Sequence, residues 1–166
     1  KGAFPGSSSN HHLETLVALA VSTYEMLEFG VAYARQVVAN AKHLAKKLDE
    51  LGFRVQAGEF GFTESHQVAI DMSDFGGGDA AARDLKDNGS IVNMTLLPAE
   101  PLDRVTNPAG VRIGVQEMTR VGMKEPEMDR IAELFKRCLA DKKFVGDEVK
   151  EFSAPFQKVH YSFDPA

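Results

Sequence analysis

The chain has 166 residues, 43% of them hydrophobic and 26% charged, a globular balance with enough length for one domain and its own core. Its net charge of -5 carries no basic block, which argues against a nucleic-acid surface. The single cysteine, Cys138, rules out an internal disulfide framework and fits a cytoplasmic setting, while apolar stretches interrupted by charge predict no membrane span.

Residues 1–10 are rich in Gly, Pro and Ser and read as a loop, with Asn10 placed to cap the helix after it. Residues 12–51 hold helix formers without a proline. Ala41, Leu44, Ala45, Leu48 and Leu51 share one helical face, Gly30 marks a break between two helices or a close contact, and Gly52 stops the segment. Residues 53–55 and 66–72 alternate as strands. Gly76-Gly77-Gly78 reads as a flexible break and Asp79 as the cap of a helix through about Asp87.

After an Asn88-Gly89 turn, residues 90–93 and 111–114 read as strands separated by a proline-containing loop. Pro126 suits the first turn of a last long helix whose apolar stripe is Met128, Ile131, Phe135, Cys138 and Leu139. The tail carries Phe152, Phe156, Tyr161 and Phe163, which should pack back. The order of elements predicts an α+β fold, a small mostly antiparallel sheet with helices on one face, preceded by long helices.

Arg112 is the most informative residue. It interrupts an apolar strand, Val111-Arg112-Ile113-Gly114, where a guanidinium is costly to bury without an anionic partner. It serves either to grip a ligand carboxylate through paired hydrogen bonds or, with less consequence, as a structural ion pair or a strand residue facing water. Residues 5–10, Pro-Gly-Ser-Ser-Ser-Asn, could cradle an anion at a helix start, but the pattern is weak and plain capping and turn chemistry accounts for them better. His11, His12, His43, His66 and His160 show no metal-ligand spacing with Cys, Asp or Glu, so no metal is expected. His43 reads as a solvated helix residue, His66 as a core or site residue, and Cys138 as core rather than nucleophile.

Several segments together resemble serine hydroxymethyltransferases, which use pyridoxal phosphate. Phe4-Pro5-Gly6 is similar to the family's Phe-Pro-Gly. Residues 36–42, Gln-Val-Val-Ala-Asn-Ala-Lys, resemble one of its helices. Residues 63–68 stand for Thr-Asp-Asn-His-Leu-Val, Val92-Asn93 for the start of Val-Asn-Lys-Asn, and Gly110-Val111-Arg112-Ile113-Gly114 with Thr119-Arg120 and Gly122 for Gly-Ile-Arg-Ile-Gly, Thr-Arg and Gly. The variants Ser9-Asn10-His11-His12, Gln116-Glu117-Met118-Thr119-Arg120 and His160-Tyr161-Ser162-Phe163 resemble archaeal members.

The resemblance implies the C-terminal part of a fold-type I pyridoxal-phosphate transferase. Residues 1–40 would be the end of the large cofactor-binding domain with its linking helices, and residues 41–166 the C-terminal small domain. It implies interconversion of serine and glycine, with a one-carbon unit passed to a tetrahydrofolate or tetrahydromethanopterin-type carrier, in a homodimer with shared active sites. Arg112 is implied as the substrate-carboxylate residue, and Ser8 and Ser9 as contacts of the cofactor phosphate. Met94-Thr95 replaces the family's Lys-Asn, which departs from the usual folate contact. The family's Schiff-base lysine lies upstream of Phe4, so the chain alone is expected to be inert. Another enzyme of the same fold, an aldolase or aminotransferase, and a non-catalytic dimerisation module remain alternatives.

Overall fold

A computed structural model describes residues 12–98 and 100–163. The chain begins with helix α1 (Leu13–Glu50), followed by strands β1 (Arg54–Val55) and β2 (Gln67–Asp71), helix α2 (Gly78–Asp87), and strands β3 (Asn93–Thr95) and β4 (Gly110–Gly114). Helices α3 (Gln116–Arg120), α4 (Glu125–Leu139) and α5 (Gly146–Ser153) complete it. The four strands form one antiparallel sheet in the order β1-β2-β4-β3.

Alternation along the two central strands explains the layering. Val68 and Ile70 of β2 stand opposite Ile113 and Val111 of β4, and all four are buried beneath helices. Against them lie Ala41, Leu44, Ala45 and Leu48 of α1, and Met128, Phe135, Cys138 and Leu139 of α4. Each fully buried leucine of this kind contributes about 1.5–3 kcal/mol of transfer free energy. The other sheet face, bearing Gln67, Ala69, Asp71 and Arg112, is half-buried or exposed. The α+β reading and the helices on one face therefore stand.

Several details depart from the sequence reading. Gly30 breaks nothing: α1 runs unbroken for 38 residues, because a helix tolerates one glycine at a cost of about 1 kcal/mol. The cap of α1 is His12, without a side-chain hydrogen bond; Asn10 falls outside the described residues. Asp79 does not cap α2. The cap is Gly77, and Asp79 lies in the first turn, paired with Arg83. The triple glycine is ordered rather than flexible. A Cβ on Gly78 would sit 2.4 Å from the Gly110 carbonyl oxygen and 2.8 Å from that of Pro108, so only glycine lets α2 start against β4. The third strand begins at Asn93, later than the propensity of residues 90–93 suggests, because pairing with β4 decides it.

Pro126 sits in the first turn of α4, where the Glu127 carboxylate accepts the Lys124 backbone N–H at 2.8 Å. The tail packs back as expected, but through an extra helix, α5. Val149, Phe152 and Phe156 lie against the core, and the Val145 N–H donates to the buried Asn88 side chain. The expectation of no membrane-length apolar segment needs correction. By length and composition α1 is long and apolar enough to span a bilayer, since residues 15–34 carry only two charges, Glu25 and Glu28.

Candidate functional site

The open face of the sheet is where chemistry can gather. Arg112 lies at the middle of β4, opposite Ala69 on β2 and Asn93 on β3. Its neighbours Val111 and Ile113 are buried, so strand alternation turns the guanidinium away from the core onto the open face. Two residues to either side on the same face are glycines. The space a side chain would take at Gly110 is filled by Leu97, and that at Gly114 by the Gln116 amide. Arg112 thus rises from a shallow floor of Ala69 and strand backbone, between an apolar wall and an amide.

No hydrogen bond or ion pair holds the guanidinium among the described residues. The carboxylates on and near this face are already committed. Asp71 accepts the Ser73 N–H at 2.8 Å and its hydroxyl at 2.6 Å, and pairs with Arg54 at 3.3 Å. Burial pushes its carboxyl up, but these donors outweigh that and hold it below the ordinary range. Glu100 accepts the backbone N–H groups of Leu97 and Ala109, each at 2.8 Å, and these two bonds lower its carboxyl. It thereby ties both ends of the loop between β3 and β4. Of the readings left open for Arg112, a structural ion pair is absent among the described residues; the exposed guanidinium fits both a strand arginine facing water and a group free to take an external carboxylate.

Ser8 and Ser9 lie outside the described residues. Of the other candidates, His66 is half-buried at the head of β2, with its Nε2 3.1 Å from the Gln67 amide nitrogen. His43 is not simply solvated: its Nε2 lies 2.9 Å from Asp129 Oδ1, linking α1 to α4. Cys138 is buried in the core, where burial raises its thiol and leaves it unsuited to attack. Among the described residues, no group of three His, Cys, Asp or Glu side chains is placed to hold a metal ion.

The sequence reading missed the polar seam that holds β4 and α3 to α1. The Tyr33 hydroxyl donates to the Gln116 carbonyl at 2.9 Å. The buried Asn40 amide donates to Thr119 Oγ1 at 2.8 Å and to the Met123 carbonyl at 2.9 Å, and accepts from Gln36. The signal was present: Tyr33, Gln36 and Asn40 recur at three- and four-residue spacing along α1.

A family model described as serine hydroxymethyltransferase matches residues 1–135. Curated relatives carrying that name include those of Archaeoglobus fulgidus, 51% identical over 99% of this chain and 38% of the relative, and Pyrococcus furiosus, 52% identical over 97% and 39%. The chain thus spans 38% to 39% of the length of these relatives. Among solved structures, an L-threonine transaldolase from Pseudomonas fluorescens, in an internal aldimine state, superposes with a TM-score of 0.86 at 34% identity, covering 97% of this chain and 37% of its own. The α+β architecture is that of the C-terminal domain of a fold-type I pyridoxal-phosphate enzyme.

Proposed function

Because the chain belongs to the serine hydroxymethyltransferase family and matches the C-terminal part of its archaeal members, we propose that it is the C-terminal portion of an enzyme that interconverts serine and glycine. The one-carbon unit passes to a tetrahydropterin carrier. The observation that supports this reading best is the Arg112 guanidinium on the open sheet face, without a partner among the described residues, while Asp71 and Glu100 are engaged elsewhere. Its role is to bind the carboxylate of serine or glycine by two parallel hydrogen bonds and so fix the orientation of the amino acid.

Pyridoxal phosphate, when bound, supplies the electron sink for bond breaking at the amino acid. The donor set of this face fits the amino acid's carboxylate. Ser8 and Ser9 are proposed to contact the cofactor phosphate. Residues 1–40 are proposed to finish the large cofactor-binding domain and to lead into the small domain of residues 41–166. The apolar first half of α1 then lies against that larger domain and the second protomer of a cytoplasmic homodimer. The carrier is tetrahydrofolate or a tetrahydromethanopterin-type molecule, with Met94 and Thr95 at the positions where the family's Lys-Asn contact is replaced.

Replacing Arg112 by Ala in the full-length enzyme tests this. Loss of one partner of a hydrogen-bonded charge pair costs about 2–5 kcal/mol, so KM for serine should rise on the order of a hundredfold or more. An unchanged KM would remove the carboxylate role. The chain alone, incubated with pyridoxal phosphate, should show no lysine-linked cofactor absorbance. The likeness to an L-threonine transaldolase supports a second reading, another amino-acid-handling enzyme of this fold. Serine–glycine exchange that requires an added pterin separates the two.

A further inference from the structure

The last described residues, 159–163, lie across the junction of α1 and α3, and each contact there is specific. Glu25 is the one buried residue in the otherwise exposed first half of α1. Its carboxylate accepts from Arg120 Nη2 at 2.7 Å, and its other oxygen accepts the Phe163 backbone N–H at 3.3 Å. Both side chains of this ion pair are largely shielded, at 24% exposure for Arg120 and 12% for Glu25. The Arg120 carbonyl in turn accepts the His160 N–H at 2.7 Å. Its guanidinium stands over the Tyr33 ring, 5.7 Å from the centroid.

Aromatic pairs close the same contact from outside. Phe163 meets Phe29 edge-on at 5.6 Å, and Tyr161 meets Tyr33 at 5.3 Å. Tyr161 holds φ 56°, a left-handed conformation that tyrosine adopts when its surroundings impose it. Gly122 makes room for the tail: at φ +94°, a Cβ there would fall 2.7 Å from His160 Nε2.

Arg120 ends the short helix that begins two residues after β4, and β4 carries Arg112. A long helix that makes few other contacts over its first half is thereby fixed to the strand that presents the candidate carboxylate-binding group. We propose that residues 159–163 are a clasp locking α1 to the β4–α3 turn, and that Arg120 is a positioning residue which, through Glu25, sets the placement of Arg112. The positioning role rests on the carboxylate reading given above; the clasp does not.

Four variants test it: Arg120→Gln, Arg120→Lys, Gly122→Ala and deletion of residues 159–166. Hydrogen exchange on the 166-residue chain should show amides of residues 25–33 and 116–121 exchanging about tenfold faster in Arg120→Gln and in the deletion, with residues 41–48 unchanged. Gly122→Ala, which displaces the tail and leaves the ion pair intact, should show a smaller rise. In the full-length holoenzyme, Arg120→Gln and the deletion should raise the glycine dissociation constant about tenfold, with kcat at saturating serine changed less than twofold. Arg120→Lys should restore most of the affinity. Wild-type exchange after deletion of the tail overturns the clasp. Faster exchange with unchanged glycine affinity overturns the positioning role. If Arg112→Ala itself leaves glycine affinity unchanged, the carboxylate reading falls and the positioning role with it, while the exchange experiment still decides the clasp.

Discussion

The two halves of α1 are both rich in apolar residues and have opposite surroundings. In the second half, Val37, Ala41, Leu44, Ala45 and Leu48 are buried against the sheet and α4. In the first, Leu13, Leu16, Val17, Leu19, Leu27 and Val31 face outward, and Leu27 is 76% exposed where Leu44 is 0%. The difference shows that an apolar residue on a helix declares a need for burial without declaring which body will meet it. Glu25 is the one buried residue of the exposed half, and it is there that the tail returns.

The sharpest way to break the comparison is to truncate both halves equally. Leu44→Ala should cost about 2–5 kcal/mol in denaturant unfolding of the chain, because it opens a cavity in a packed core. Leu27→Ala should stay within about 0.5 kcal/mol. Equal losses would mean that the first half is covered in the chain itself. Asn40→Leu ranks next. It leaves the Met123 carbonyl without its donor and should cost about 1–3 kcal/mol, read as a lowered midpoint without a changed slope.

A gentler test uses solubility. Nine large apolar side chains between Leu13 and Val31 are exposed, so the chain should self-associate in light scattering. The double change Leu16→Lys and Leu27→Lys should weaken that association; a monomer before any change would break the comparison from the other side.

The smallest effect is electrostatic and lies away from α1. Hydrogen bonding from Arg137 holds the Glu148 carboxyl below its ordinary value, with Arg130 adding to it. A carboxyl lowered in the folded state gives stability that is present above its unfolded value and is lost as pH falls through its folded value. Acid unfolding followed between those two values should be shallower in Glu148→Gln than in the parent chain. Because the group is exposed, the change should be slight.

Much of the layout was legible because it rests on periodicity. The core stripe of α4, the alternation of β2 and β4 and the first-turn position of Pro126 are all local patterns read correctly. Errors arose where tertiary contact overrides local preference. Gly30 continues a helix, the triple glycine is packed rather than loose, and the third strand starts where its neighbour pairs with it. For the candidate site, the outward turn of Arg112 follows from its place between Val111 and Ile113. What no pattern gave is its lack of a partner among the described residues, where Asp71 and Glu100 are engaged by Ser73, Arg54 and backbone amides. The Glu25–Arg120 pair spans 95 positions of sequence, beyond any local signal.

Cys138, inert where it stands, has a use by reason of that inertness. It is the only thiol in the chain, and it sits between α4 and the Asp84 carbonyl of α2. Burial slows a thiol-labelling reagent there, and opening of those helices should speed it. Its modification rate, compared with that of the unfolded chain, is therefore a direct gauge of how often the interior breathes.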